Sequence, residues 1–80
     1  MSTVLVVDDK EMMRDSVSSS LRRAGFEVVS ASRADVALER IALKRPDVVI
    51  TDLKMPGMTG IELLEQIGAI DDELPVVLMT

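Results

Sequence analysis

Three carboxylates and a hydroxyl stand where short apolar runs stop. Asp8 and Asp9 follow the run from Val4 to Val7, Asp52 closes the stretch that begins Val48-Val49-Ile50, and Thr80 follows the run from Pro75 to Met79. The chain has no histidine and no cysteine. These acids therefore serve no Ser-His-Asp triad, thiol site or His- or Cys-ligated metal centre built from this chain alone. Carboxylates brought close together raise each other's pKa and oppose folding. Three of them call for a hard cation with oxygen ligands. Mg2+ has that character: it is octahedral, is held by one or two carboxylates plus water, and leaves positions open to a phosphoryl oxygen. Taken singly, each residue has a plainer use. Asp9 could cap a helix, Asp52 a turn, and Thr80 could fill a strand. Lys54 could be solvated, and Met55 and Met58 could be packing. Only their meeting in one cleft argues for chemistry, because a fold gains nothing from clustering uncompensated acids.

Whether they meet depends on the elements that carry them. Val4 to Val7, Val48 to Ile50 and Pro75 to Met79 are continuous apolar runs, and Phe26 to Val29 is a further run broken only by Glu27, which suits strands buried on both faces of a parallel sheet. Helical spacing lies between them. Met13, Val17 and Leu21 recur on one face of a first helix, with Arg22, Arg23 and Gly25 as its stop signals. A second helix opens at Ser32, presents Ala34, Ala37, Leu38 and Ile41, and ends at Lys44-Arg45-Pro46. A third starts at Thr59, with Glu62 at capping-box spacing, presents Ile61, Leu64 and Ile67, and stops at Gly68. The order is β-α-β-α-β-α-β, an open α/β sheet with crossover connections. Ligands of such sheets sit beyond the carboxyl ends of the strands, where strand order reverses. A sheet order of 2-1-3-4 makes the first and third strands neighbours and brings Asp8, Asp9 and Asp52 together.

Composition narrows the function. Eighty residues, 48% hydrophobic and 29% charged, make one small globular domain. A net charge of −5 and a single aromatic, Phe26, argue against nucleic-acid binding by this chain. No apolar stretch reaches membrane-span length, and the N-terminus lacks the pattern of a secretory signal, so a cytoplasmic location without a membrane is expected. The charge is uneven. All nine cations lie in residues 1–54, while residues 55–80 carry Glu62, Glu65, Asp71, Asp72 and Glu73 with no cation, which points to a positive partner outside the chain. The fourth strand closes the chain with no helix after it. That arrangement reads as a domain cut short, with an edge open to pairing.

Three segments, VLVVDD, VVITDLKMPGMTGIELL and LPVVLMT, together resemble the receiver domain of two-component response regulators, over the whole chain and in order. The resemblance implies a flavodoxin-like sheet of order 2-1-3-4, with residues 1–80 as the N-terminal part of the domain, lacking the family's fifth strand and last two helices. It implies that Asp52 is the phospho-acceptor, attacking a phosphohistidine of a sensor histidine kinase in an Mg2+-dependent reaction. It makes Asp8, Asp9, Asp52 and the backbone carbonyl of Lys54 the metal site, with Asp8 acting largely through water. Thr80 becomes the switch hydroxyl, and Pro56 and Gly57 shape the loop after Asp52. The family's lysine after its fifth strand has no counterpart, so slower phosphoryl transfer is expected. Exposed apolar area is expected on the first helix, as is oligomerisation or a domain swap through that helix and the fourth strand. The function implied is a phosphorylation-controlled signalling domain, not an enzyme, feeding a downstream effector, most often in transcription control. Two alternatives stand beside it. One is an interaction or scaffold fragment with a vestigial pocket. The other is an Mg2+-dependent aspartyl-phosphate phosphohydrolase, whose acid–any–acid signature fails here because Asp8 and Asp9 are adjacent and Lys10 follows.

Overall fold

Each apolar run becomes a strand and each amphipathic stretch a helix. The structure, a computed structural model, describes residues 2–79. The elements are β1 (Thr3–Val7), α1 (Glu11–Arg23), β2 (Glu27–Ala31), α2 (Ala34–Leu43), β3 (Val48–Asp52), α3 (Gly60–Ile70) and β4 (Val76–Met79). The four strands form one parallel sheet in the order β2-β1-β3-β4, the flavodoxin-like order expected. Val7 lies level with Ala31 on one side and with Thr51 on the other.

The main core fills the face on which Leu5, Val7, Ala31 and Val49 meet Ala34, Ala37 and Ile41 of α2 and Leu63 and Ile67 of α3. Val4 and Val6 are equally buried on the other face, and α1 packs against β1 and β2. Burial on both faces holds throughout only for β1. In β3 it alternates, and Val77 of β4 is 51% exposed. The expectation of strands buried on both faces is thus corrected for β2, β3 and β4. The outer strands have one neighbour each, and α1 does not extend over β3 and β4.

Helix details also differ from the sequence reading. On α1, Met13 is exposed, Val17 and Leu21 are half-buried, and Ser18 is the fully buried residue. On α2, Ala34, Ala37 and Ile41 are buried as expected, but its N-cap is Arg33, with no side-chain cap. On α3 the buried face is Gly60, Leu63 and Ile67, and Ile61 and Leu64 are exposed. Gly25 ends α1 in the left-handed region, at φ 98°. Gly68 does not take that conformation, so α3 runs two residues further to Ile70 and is capped by Asp71.

The start of α3 carries the expected capping box. Thr59 Oγ1 accepts the Glu62 N–H at 3.2 Å, and Glu62 Oε1 accepts the Thr59 N–H at 3.1 Å. Thr59→Ala is expected to lower stability by about 1 kcal/mol, read as a lower urea midpoint at unchanged m-value.

At the far end of α3, Asp71 pairs with Arg45, from the loop after α2. A cation of the first 54 residues thus reaches the acid-rich last third within the chain. The Arg45 hydrogen bond holds the Asp71 carboxyl below the usual carboxylate range, and Arg45 is raised by the same bond. Because the folded-state value lies below the unfolded one, the pair's contribution is present above the ordinary carboxylate pKa. It is lost as pH falls through the lowered folded-state value. Arg45→Gln is therefore expected to lower stability modestly near neutral pH, with the difference from the parent disappearing in acid as Asp71 takes up its proton. A pH series of urea melts checks this.

Candidate functional site

The site is assembled by β1 and β3 running side by side to a common end. Since Val7 and Thr51 are partners, Asp8 and Asp52 each lie one residue beyond the same rung. Asp8 continues the ladder briefly, its N–H donating to the Ala31 carbonyl at 3.1 Å. The chain then folds back. The Lys10 N–H donates to Asp8 Oδ1 at 2.9 Å, and Arg14 Nη1 donates to the Asp8 carbonyl at 2.9 Å. The N-cap of α1 is Lys10, without a side-chain cap, so Asp9 does not spend its carboxylate on capping.

Asp8, Asp9 and Asp52 each offer a carboxylate oxygen within 4.8 Å of the others. Asp8 is buried, Asp9 exposed and Asp52 intermediate. Three hard oxygen donors graded in burial around one point suit a small divalent cation with part of its water retained.

The loop after β3 is shaped by two glycines. Gly57 has φ 85°, a left-handed conformation in which side chains are strained. Gly60 lies against the β3 end, its N–H donating to the Leu53 carbonyl at 2.9 Å. A Cβ there would come within 2.4 Å of the Asp52 carbonyl oxygen. Met55 is buried in the main core and Met58 packs on it, so both are packing residues that anchor the loop. Lys54 is exposed, its N–H 3.5 Å from Asp52 Oδ1. With Lys10, Asp52 and Leu53 it lines a cleft of about 360 Å3. Thr80 lies outside the described residues.

One residue of the site was missed by sequence reasoning. Lys10 Nζ lies 3.2 Å from Asp52 Oδ2 and 3.7 Å from Asp9 Oδ1. Its ammonium pKa is raised, first by the hydrogen bond to Asp52, then by the charges of Asp52 and Asp9. The signal was its place directly after the acid pair, but reaching Asp52 requires β1 and β3 to be adjacent.

Comparison with known proteins places this geometry. The family model "Response regulator receiver domain" matches residues 4–80. The chain is 35% identical over 77 residues to sporulation initiation phosphotransferase F of Bacillus subtilis (strain 168), covering 96% of this chain and 62% of that protein. It is 37% identical over 78 residues to the probable transcriptional regulatory protein TcrX of Mycobacterium tuberculosis, covering 98% of this chain and 33% of that one. The response regulator TrrA of Thermotoga maritima, solved in complex with Mg(2+)-BeF, superposes with a TM-score of 0.94 at 31% identity, over 98% of this chain and 68% of that chain. A structure of histidine kinase ThkA in complex with TrrA matches with a TM-score of 0.94 and 31% identity, over 100% of this chain and 69% of that chain. The chain thus spans about one third to two thirds of the relatives it matches. Among the described residues, no helix is long and apolar enough to cross a membrane. The matched span, the sheet order and the acids grouped at the ends of β1 and β3 agree: the chain belongs to the response regulator receiver domain family.

Proposed function

We propose that this chain accepts a phosphoryl group on Asp52 from a histidine kinase and passes the signal to a downstream effector. The observation that carries the reading is the convergence of Asp8, Asp9 and Asp52 at the ends of two adjacent strands. The residues that would hold a divalent cation, Mg2+ by the chemistry of the donor set, are Asp9 and Asp52 directly, Asp8 largely through water, and the Lys54 carbonyl. When bound, the cation supplies charge neutralisation for the carboxylates and for the transferring phosphoryl oxygens.

The chain's own residues do the rest. Asp52 Oδ attacks phosphorus; the O–P bond forms as the N–P bond of the phosphohistidine breaks, and the freed imidazole takes a proton from solvent. Asp8, fixed by Lys10 N–H and Arg14, holds the loop from which Asp9 reaches the cleft. The backbone after Asp52, held by Gly60, keeps the nucleophile at the cleft mouth. Thr80 acts as the switch hydroxyl on the phosphoryl group, which biases a two-state surface. Residues 1–80 form the N-terminal part of the receiver domain, in a cytoplasmic protein. Relatives described as transcriptional regulators support an effector in transcription control, and the TrrA–ThkA complex supports a kinase partner.

The test is intact-mass measurement after incubation with Mg2+ and a small phosphodonor such as acetyl phosphate. One alkali-labile phosphoryl group per chain is expected. Release of phosphate over many turnovers without an adduct would point to a hydrolase. Neither adduct nor release would leave a scaffold with a vestigial pocket.

A further inference from the structure

We propose that Lys10 is a tethered competitor for the divalent-cation site, a positioning residue that keeps the acid cluster assembled without metal and weakens metal binding. The proposal rests on the receiver reading of the site above. Lys10 Nζ stands 3.2 Å from Asp52 Oδ2 and 3.7 Å from Asp9 Oδ1. It therefore bridges the two acids that come from different strands. A small divalent cation needs carboxylate oxygens at about 2.0–2.1 Å. Held by Asp9 and Asp52, it would sit within a few ångströms of the ammonium. Two cations at that distance repel each other, so loading the site requires the ammonium to withdraw.

The side chain can do so. Its exposure is 62%, it rides on a flexible four-carbon stem, and it stands at the edge of the open cleft it lines with Asp52, Leu53 and Lys54. The competition is therefore graded: an exposed lysine lowers affinity but does not block the site. The cations that face the acids from the packed elements are few. Arg14 is engaged with the Asp8 carbonyl, and Lys54 makes no ion pair among the described residues. Lys10 is thus the one side-chain cation paired with these acids among the described residues.

The experiment is calorimetric titration of the chain with Mg2+ at low salt, comparing the parent with Lys10→Gln, Lys10→Arg and Asp52→Asn. Lys10→Gln is expected to bind Mg2+ about threefold to tenfold more tightly, with the difference shrinking as salt is raised. Lys10→Arg, which keeps the charge, is expected to stay near the parent. Saturable, Asp52-dependent binding that is equal or weaker in Lys10→Gln overturns the role of Lys10 and leaves the site reading standing. Absence of saturable binding in every variant overturns both.

Discussion

Asp52→Asn is expected to abolish phosphoryl incorporation outright, with no adduct by intact mass under conditions that label the parent chain to near completion. An amide oxygen is a poor nucleophile, and the substitution also removes one of the three clustered carboxylates. The fold should survive it. Asn has the same shape, Asp52 is only partly buried, and its backbone remains paired with Met79 across the sheet. The substitution breaks the ion pair with Lys10, but the lysine side chain is exposed and solvent screens the pair, so little stability is lost with it. Far-ultraviolet circular dichroism and the urea midpoint should therefore stay close to the parent while labelling vanishes. Persistent labelling of one residue in Asp52→Asn would move the acceptor to Asp8 or Asp9 and remove the assignment.

Gly60→Ala tests how Asp52, the proposed nucleophile, is held. Within a helix, alanine in place of glycine normally stabilises by about 0.5–1 kcal/mol. At this position the opposite sign is expected. The new Cβ would lie 2.4 Å from the Asp52 carbonyl oxygen and 3.0 Å from Leu53 Cα, both backbone atoms, so no flexible side chain can move aside. Either α3 shifts away from the sheet or the β3 end is displaced. A loss of about 2–4 kcal/mol is expected, a large part of the stability of so small a domain. Any molecules that remain folded should label slowly, because the displaced atoms belong to Asp52 itself. A Gly60→Ala chain with a raised urea midpoint would show that helix propensity decides here and that the close approach is relaxed in solution. Gly68, in the same helix, has open space around its Cβ position, and Gly68→Ala serves as the control, with a modest gain.

The element order and the sheet were legible because the apolar runs and helical spacings are nearly uninterrupted, and the buried sides of α2 follow from Ala34, Ala37 and Ile41 alone. The phase of α3 was not. Ile61, Leu63, Leu64 and Ile67 are apolar around more than one face, so periodicity permits two rotations. The observed one, with Gly60 and Leu63 inward, is selected where the glycine meets the backbone of Asp52, at the junction of α3 with the sheet. The same holds for charge. The acids of the last third, read along the chain, have no cation beside them, yet Asp71 finds Arg45 across the fold.

The identities of Asp8, Asp9 and Asp52 and their places at the ends of apolar runs were decided by sequence alone, because a change from a buried run to an acid marks where a strand leaves the sheet. Their meeting was decided by tertiary structure. Only the pairing of β1 with β3 brings residues from distant parts of the chain to one point, and only that pairing lets Lys10 reach Asp52. Local propensity carries no information on strand order, since it arises from the burial of whole faces and the crossovers that connect them.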